Sequence, residues 1–488
     1  MKFIVKLFPE ITIKSKPVRQ RLVKQLRQNV QVVLSKETAG AKVQGFWDKL
    51  EVRILPDFAD DEPKVIAALQ RVPGISNILK VKSYEIEDID ERFDYIADIC
   101  RETYAEQVNG KSFVVRVKRA GTHSFTSTDL ERYIGGALLQ TTGAERVDLK
   151  NPDVAVKLEV REKMLYTVAQ RYEGLGGYPI GTQEPVLSLI SGGFDSTVSS
   201  YLTMKRGIKT HFCFFNLGGD AHEIGVKQVS LYLWEKYGRS HRVQFVTVPF
   251  EGVVAEILKN VENSHMGVIL KRMMMRAAQD VAKQLDIPAL VTGEAVSQVS
   301  SQTITNLNVI DKVCDTLVLR PLITMDKQDI IRLSAQIGTE EFAKNMPEYC
   351  GVISERPTTC ARLARVESEE ENFDYAVLRQ AVENAKIVKI DRVMNEQKNV
   401  VDVDVTSLPK VGDVIVDIRG PEEHEKAPLK LTNNKILHVP FYELISEMES
   451  FDKSTRYLMY CEKGTMSQLH ASHLKSLGYS VAVFNPSS

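Results

Sequence analysis

The sequence predicts a multidomain α/β protein: small α+β modules first, then a doubly wound parallel sheet, then one further small α/β domain. Three observations predict this. The chain has 488 residues, and single cores seldom grow past about 250–300 residues. Strand and helix patterns alternate along it, with half-buried alternating strands before Pro185 and continuous apolar strands after it. Composition is that of ordinary globular protein, 43% hydrophobic and 26% charged, so several cores can be filled.

Residues Met1–Leu34 read as a strand (KFIVKLF), a turn (PE) and a helix with Val18, Leu22, Leu26, Val30 and Val33 on one stripe. The same 34 residues carry eight Lys/Arg (Lys2, Lys6, Lys14, Lys16, Arg19, Arg21, Lys24, Arg27) against one acid, Glu10. Most charge runs are solvated faces. An eight-to-one imbalance in a chain of net charge −1 points instead to a surface that meets a polyanion. In "KSFVVRVKRAGTHSF" (Lys111–Phe125) an alternating strand sets Arg116 and Lys118 on one face, and Arg119 and His123 follow in the loop. "TSTDLERYIGGALL" is then a capped helix, and Asn151–Tyr172 a hairpin turning near Arg161–Lys163.

After Pro185 come VLSLI, HFCFFNL, HRVQFVTV, PALVTGE and TLVLRPL, the strands of a parallel sheet with helices between them. The acidic run "ESEEEN" (Glu367–Asn372) and the polar "DRVMNEQKNV" mark a boundary near residue 395, and DVIVDIR, KILHVPF, RYLMYC and SVAVF supply the final sheet. The first residues, broken by lysines, lack the apolar core of a signal peptide, and no run of about 18 apolar residues spans a membrane. Six cysteines without a CxxC pair are neither a disulfide framework nor a zinc site. A cytoplasmic enzyme with no membrane partner is expected.

The chemistry begins at "VLSLISGGFDSTVSSYL" (Val186–Leu202), an apolar strand running through two glycines into a helix. This is neither GxxxxGK[ST] nor GxGxxG. Gly192 and Gly193 let backbone N–H groups approach an anion, hydroxyls of Ser191 and Ser196 flank them, and the helix N-terminus adds its dipole. Asp195 is out of place beside phosphate unless a divalent cation or a backbone amide meets its carboxylate; the competing reading makes it the N-cap of a tight strand–helix turn.

The motif resembles the PP-loop of the ATP pyrophosphatases, which split ATP into AMP and pyrophosphate. With "CFFNLGGDAHEIGVKQV", "MGVILKRMMMRAA", "LVTGEAVSQVSSQT", "LRPLITMDKQDII" and "MPEYCGVIS", in order, the chain resembles the tRNA 4-thiouridine synthetase (ThiI) family. The resemblance covers essentially the whole chain. It implies a ferredoxin-like domain over 1–60, a THUMP RNA-binding domain over 61–172, a PP-loop domain over 173–395, a linker over 396–404 and a rhodanese-like domain over 405–488. It places ATP contacts at Leu189, Ile190, Ser191, Gly192, Gly193, Asp195, Ser196, Lys271, Gly293 and Gln302, with Mg²⁺ accompanying ATP and no metal ligand assigned in the protein. Lys271, delivered from a separate helix, would replace the absent Walker lysine as a point charge; a solvated lysine is its bland alternative.

Cys461 lies where the strand RYLMYC enters the loop "CEKGTMS", which resembles the rhodanese active-site loop. Convergent N–H donors there, with Lys463 nearby, suit a thiolate or persulfide anion. A buried inert thiol is the alternative. The resemblance makes Cys461 the catalytic sulfur carrier and Cys350 its partner in a Cys350–Cys461 disulfide; Cys360, close in sequence, has no assigned role and leaves the resolving thiol open. Cys100, Cys213 and Cys314 are expected in cores. The implied activity is ATP-dependent adenylation of uridine 8 of tRNA, with Asp195 essential, then persulfide sulfur transfer to give 4-thiouridine. The implied partners are tRNA, a cysteine desulfurase, a reductant and the thiamine sulfur-carrier protein. Competing functions are another PP-loop tRNA thiolase, a small-molecule adenylating ligase, or a non-catalytic RNA-binding sulfur-carrier adaptor.

Overall fold

The structure, a computed structural model, describes residues 1–217, 220–344, 346, 356–393, 403–419, 424–425, 427–429, 434–440, 444–447, 450–461, 467, 470–471, 474–475 and 477–486. The chain divides into two compact units: residues 1–183 with 204–208 and 239–241, and the remainder.

In the first unit, β1 (Lys2–Leu7), β2 (Ala41–Gly45), β3 (Lys49–Ile54), β4 (Ile75–Glu85), β5 (Ser112–Ala120), β6 (Arg146–Val147), β7 (Val154–Arg161) and β8 (Met164–Gly176) form one sheet. Its order is β2-β3-β1-β4-β8-β7-β5-β6. Alternation decides which side each strand buries: Phe3, Val5 and Leu7 face the helix Lys16–Leu34, whose Leu22, Leu26 and Val30 are buried and whose Val18 and Val33 flank them. Pro17 in its first turn suits a helix start, since its missing N–H and fixed φ cost nothing there. A short helical turn, Pro9–Thr12, stands where a plain turn was expected.

The expected division between residues 60 and 61 falls inside this first core. The helix Glu62–Gln70 and β4 bury Val65, Ile66, Leu69, Ile75 and Ile78 against the same apolar face. β4 then pairs with β8 from Ile75–Gly176 to Glu85–Met164, so the two α+β modules share one sheet. On the face away from the helices, ion pairs bind one module to the other: Lys6 Nζ to Glu159 at 3.0 Å and Arg161 to Asp48 at 2.9 Å. In the second module the helix Ser127–Thr141 is capped as predicted: Asp129 N–H donates to Thr126 Oγ1 and Thr126 N–H to the Asp129 carboxylate. The β7–β8 hairpin turns at Glu162, with φ of 49°.

In the second unit, β9 (Val186–Leu189), β10 (Thr210–Asn216), β11 (Gln244–Pro249), β12 (Ala289–Val291), β13 (Leu317–Leu319) and β14 (Lys386–Lys389) form a sheet ordered β13-β12-β9-β10-β11-β14. It is parallel except for β14, antiparallel to β11, a four-residue edge strand too short and too polar to read in the sequence. β15 (Val405–Thr406), β16 (Val414–Asp417), β17 (Lys435–His438), β18 (Arg456–Tyr460) and β19 (Ser480–Phe484) make a third, parallel sheet ordered β15-β19-β18-β16-β17.

The acidic run takes part in the core of the second unit. Arg272 is 1% exposed and needs a counter-charge, which Glu370 supplies at 2.5 and 2.9 Å; Glu369 accepts from the N–H of Glu262. The boundary expected near residue 395 lies outside the described residues. Cys100 and Cys213 are core residues, and burial pushes the Cys100 thiol up to about 12 and raises that of Cys213. Cys314 is only partly buried at the margin of its core. Among the described residues, no helix is long and apolar enough to cross a membrane.

Candidate functional site

After β9, β10 and β11 run outward on one side, the chain returns to lay β12 and β13 on the other side of β9. Where winding reverses, the carboxyl ends of the strands leave a crevice. The loop Ser191–Ser196 lies there. Ile190 donates its N–H to Cys213 O at 2.9 Å, so a nucleotide contact at Leu189–Ile190 falls to carbonyl groups. Gly192 has φ of +87°, open to glycine at little cost, and Met346 packs against it. Ser191 N–H donates to Ser196 Oγ at 3.2 Å, and Ser196 Oγ–H to Gly193 O at 3.2 Å, closing the loop on its own helix. His222 Nε2 meets Ser191 O at 3.0 Å, and burial lowers the ring's pKa despite that bond.

Asp195 is not an N-cap. It occupies the first turn of the helix Phe194–Lys205, and its carboxylate binds Lys327 Nζ at 2.9 and 3.0 Å and Gln298 Nε2 at 2.8 Å. The partners of this acid beside the loop are thus a lysine ammonium and a side-chain amide, where a divalent cation or a backbone amide was expected. Gly293 follows β12 closely enough that a Cβ would lie 2.6 Å from Asp195 C and 2.8 Å from Ser196 N. No larger residue fits between strand end and loop.

The next residue, Glu294, is a buried anion. Lys271 reaches it at 3.0 Å, Arg320 at 2.8 Å, and Thr292 Oγ1–H at 3.1 Å. Burial would raise its pKa, but Lys271 and Arg320 prevail and hold it below the usual carboxylate range. Lys271 is thus aimed rather than solvated. Its helix, Met266–Gln284, buries Met273 and Met275 while the lysine projects to the strand edge. Gln302 is buried, its Oε1 accepting from Ala295 N–H at 3.4 Å, and shapes the 295–302 loop.

At the corresponding edge of the third sheet, Cys461 follows β18. Its Sγ lies 2.9 Å from Ser467 Oγ and accepts from Ser467 N–H at 3.3 Å. The neighbouring strand ends in Asp417, which grips Arg419 at 2.6 Å and His424 at 3.0 Å; the His424 and His438 rings stack at 4.1 Å. Cys350 and Lys463 lie outside the described residues, and Cys360 is exposed. On the first unit, Lys14, Lys16, Arg21, Lys24 and Arg27 are exposed, while Arg19 lies over the Trp47 ring at 5.3 Å.

Comparison with known proteins gives this geometry its setting. Four family models match in succession: the ThiI ferredoxin-like domain over residues 2–78, the THUMP domain over 88–167, the thiamine biosynthesis protein (ThiI) over 181–375 and the rhodanese-like domain over 403–486. A tRNA sulfurtransferase of Marinobacter nauticus is 50% identical over 487 residues and one of Shewanella halifaxensis 52% over 495, each alignment spanning all of both chains. The chain belongs to the tRNA sulfurtransferase family. A 4-thiouridine synthetase solved with RNA and bound ATP superposes with TM-score 0.68 at 25% identity, over 80% of this chain and 99% of that one. PH1313 from Pyrococcus horikoshii shares the fold with TM-score 0.53 at 20% identity, over 69% of this chain and all of that one.

In this family member, the structure brings Ser191–Ser196, Gly293 and Lys271, through Glu294, to one sheet edge. Sequence reasoning missed Lys327, Gln298, Glu294, Arg320, His222 and Ser467. Lys327 and Arg320 both stand in the quoted "LRPLITMDKQDII", and Glu294 is adjacent to Gly293, but no spacing rule pairs residues 132 positions apart.

Proposed function

We propose that this sulfurtransferase uses its PP-loop to adenylate uridine 8 of tRNA, and Cys461 to deliver the sulfur that makes 4-thiouridine. The observation that carries the reading is the pairing, in one chain, of an anion-ready loop flanked by aimed cations with a thiol held by Ser467.

The exposed cations of the helix Lys16–Leu34, together with Arg116, Lys118, Arg119 and His123, hold tRNA by phosphate and shape contacts, as RNA helices demand. ATP lies along Ser191–Ser196, with backbone carbonyls of Leu189–Ile190 towards adenine and the loop N–H groups and helix dipole towards phosphate. A magnesium ion fits as a companion of the phosphates: Asp195, partly exposed beside the loop, is the carboxylate that would reach it, and the ion would supply charge neutralisation. Lys271, oriented by Glu294, faces the charge that grows on departing pyrophosphate. The uridine O4 attacks the α-phosphate, the bond to pyrophosphate breaks, and O4 becomes part of a leaving group.

Cys461, loaded with sulfane sulfur by a cysteine desulfurase, provides the second half. Ser467 stabilises anionic sulfur at Sγ. The terminal persulfide sulfur bonds to C4 and AMP departs. The Cys350 thiolate attacks Cys461 Sγ, the S–S bond to the transferred sulfur breaks, and a Cys350–Cys461 disulfide remains for an external dithiol to reduce. The same persulfide serves an adenylated sulfur-carrier protein for thiamine synthesis. The enzyme works in the cytoplasm. The test is a single turnover with ATP, tRNA and persulfidated enzyme, following pyrophosphate and 4-thiouridine separately. Release of pyrophosphate that does not depend on tRNA, or 4-thiouridine formed by Cys461→Ala, overturns the reading.

A further inference from the structure

The two chemical centres have to meet, and one helix touches the surroundings of both. The helix Asp220–Leu233 begins beside the PP-loop, where His222 Nε2 meets Ser191 O at 3.0 Å. Three residues on, Gly225 is a bare spot against which Met346 packs: a Cβ there would lie 3.0 Å from Met346 Cε. The same Met346 packs against Gly192 of the loop, and it stands four positions before Cys350 in the sequence. A further three residues along, about 9 Å from His222 at 1.5 Å per residue, Gln228 Nε2 lies 3.2 Å from His470 Nε2.

His470 belongs to the sulfurtransferase domain. It is three residues past Ser467, the residue whose N–H and hydroxyl hold Cys461, and both are helical. Ala471 and Leu474 are fully buried in that domain's own core, so the segment is fixed to its sheet and His470 carries the whole domain with it. Both partners of the contact are sealed from solvent, Gln228 at 6% and His470 at 3% exposure. A buried amide–imidazole bond is costly to leave unmade, which makes it selective for one docked arrangement.

We infer that the helix Asp220–Leu233 is the docking surface on which the adenylation domain receives the sulfurtransferase domain, with Gln228 and His470 as its latch. These are positioning residues: Gln228 acts on Cys461 through His470 and Ser467, and neither latch residue touches a reacting atom. One surface thereby gathers the loop that activates the uridine, Met346 and the segment that holds Cys461. Its partner is a second domain of the same chain, which gives the buried Gln228 amide a hydrogen-bonding partner. The inference rests on the proposed function above.

The test uses the full-length enzyme, tRNA, ATP and a desulfurase with ³⁵S-cysteine, comparing Gln228→Leu, His470→Ala and the double variant. Single-turnover formation of 4-thiouridine should fall about tenfold in each single variant, the effect of one buried hydrogen bond. The double variant should lose no more than His470→Ala alone, because Gln228→Leu removes a contact that His470→Ala already removes. Pyrophosphate release and ³⁵S loading of Cys461 should stay within about twofold, which a general loss of structure would not allow. Unchanged thiolation in both single variants, or losses that add in the double variant, overturn the latch. So does loss of pyrophosphate release in Gln228→Leu or of ³⁵S loading in His470→Ala, which would make each side chain a fold element of its own domain. Failure of the functional reading looks different: unmodified enzyme would then form no 4-thiouridine at all.

Discussion

At the edge after β9, β12 and β13, the polar atoms are charged and matched: Asp195 with Lys327, and Glu294 with Lys271 and Arg320. At the edge after β18, the sulfur of Cys461 meets a neutral hydroxyl and a backbone N–H from Ser467. Both edges use the same architecture, a parallel strand ending at a helix N-terminus. The difference suits the function proposed above: a polyphosphate brings several localised charges, which fixed cations match, whereas a persulfide brings one diffuse charge on a polarisable atom. The comparison teaches that position in the fold is shared, while the chemistry is set by which side chains the edge carries.

The comparison breaks most sharply in a pair of variants. Cys461→Ala should lower 4-thiouridine formation more than about a thousandfold while pyrophosphate release continues. Asp195→Ala should do the reverse, cutting tRNA-dependent pyrophosphate release at least about a hundredfold while ³⁵S loading of Cys461 persists. If either variant impairs both readouts, the edges are not separate centres. Gly293→Ala pushes a methyl into the Asp195 backbone and should cost about 1–3 kcal/mol of stability in urea unfolding, together with adenylation activity.

Glu294→Gln sharpens the electrostatic side. Burial acts to raise the Glu294 pKa, but Lys271 and Arg320 hold it depressed, so its stabilising charge is fully present above the ordinary carboxylate value. That contribution is lost as pH falls through the folded value. The stability gap between unmodified protein and Glu294→Gln should therefore be widest near neutrality and shrink on acidification, as unfolding midpoints at a series of pH values will report. The smallest effect on chemistry belongs to Lys14, Lys16 and Arg19. Neutralising all three should leave single-turnover rates at saturating tRNA unchanged and flatten the salt dependence of binding by about two to three units of slope.

Much of this arrangement was legible in the sequence, for identifiable reasons. Strands such as HFCFFNL and RYLMYC are continuous apolar runs, and the full SGGFDS between strand and helix favours anion binding over a plain tight turn. Cys461 was readable because its strand, loop and helix are local. What stayed hidden was made by distant pairs. Lys327 and Asp195 meet only because β9 and β13 lie on one sheet, and Glu294 reads as an ordinary acid until Lys271 and Arg320 surround it. The structural part of the acidic run was hidden for the same reason: Glu370 answers Arg272 and Arg276 from a helix nearly a hundred residues earlier.

The ladder between β4 and β8 has a practical consequence for anyone cutting this protein into pieces. A fragment ending after the first module would leave β4, eleven residues long, with its outer hydrogen-bonding groups bare to solvent. Such naked strand margins recruit other chains. The shortest well-behaved N-terminal fragment should therefore run through Gly176, and anything shorter should self-associate.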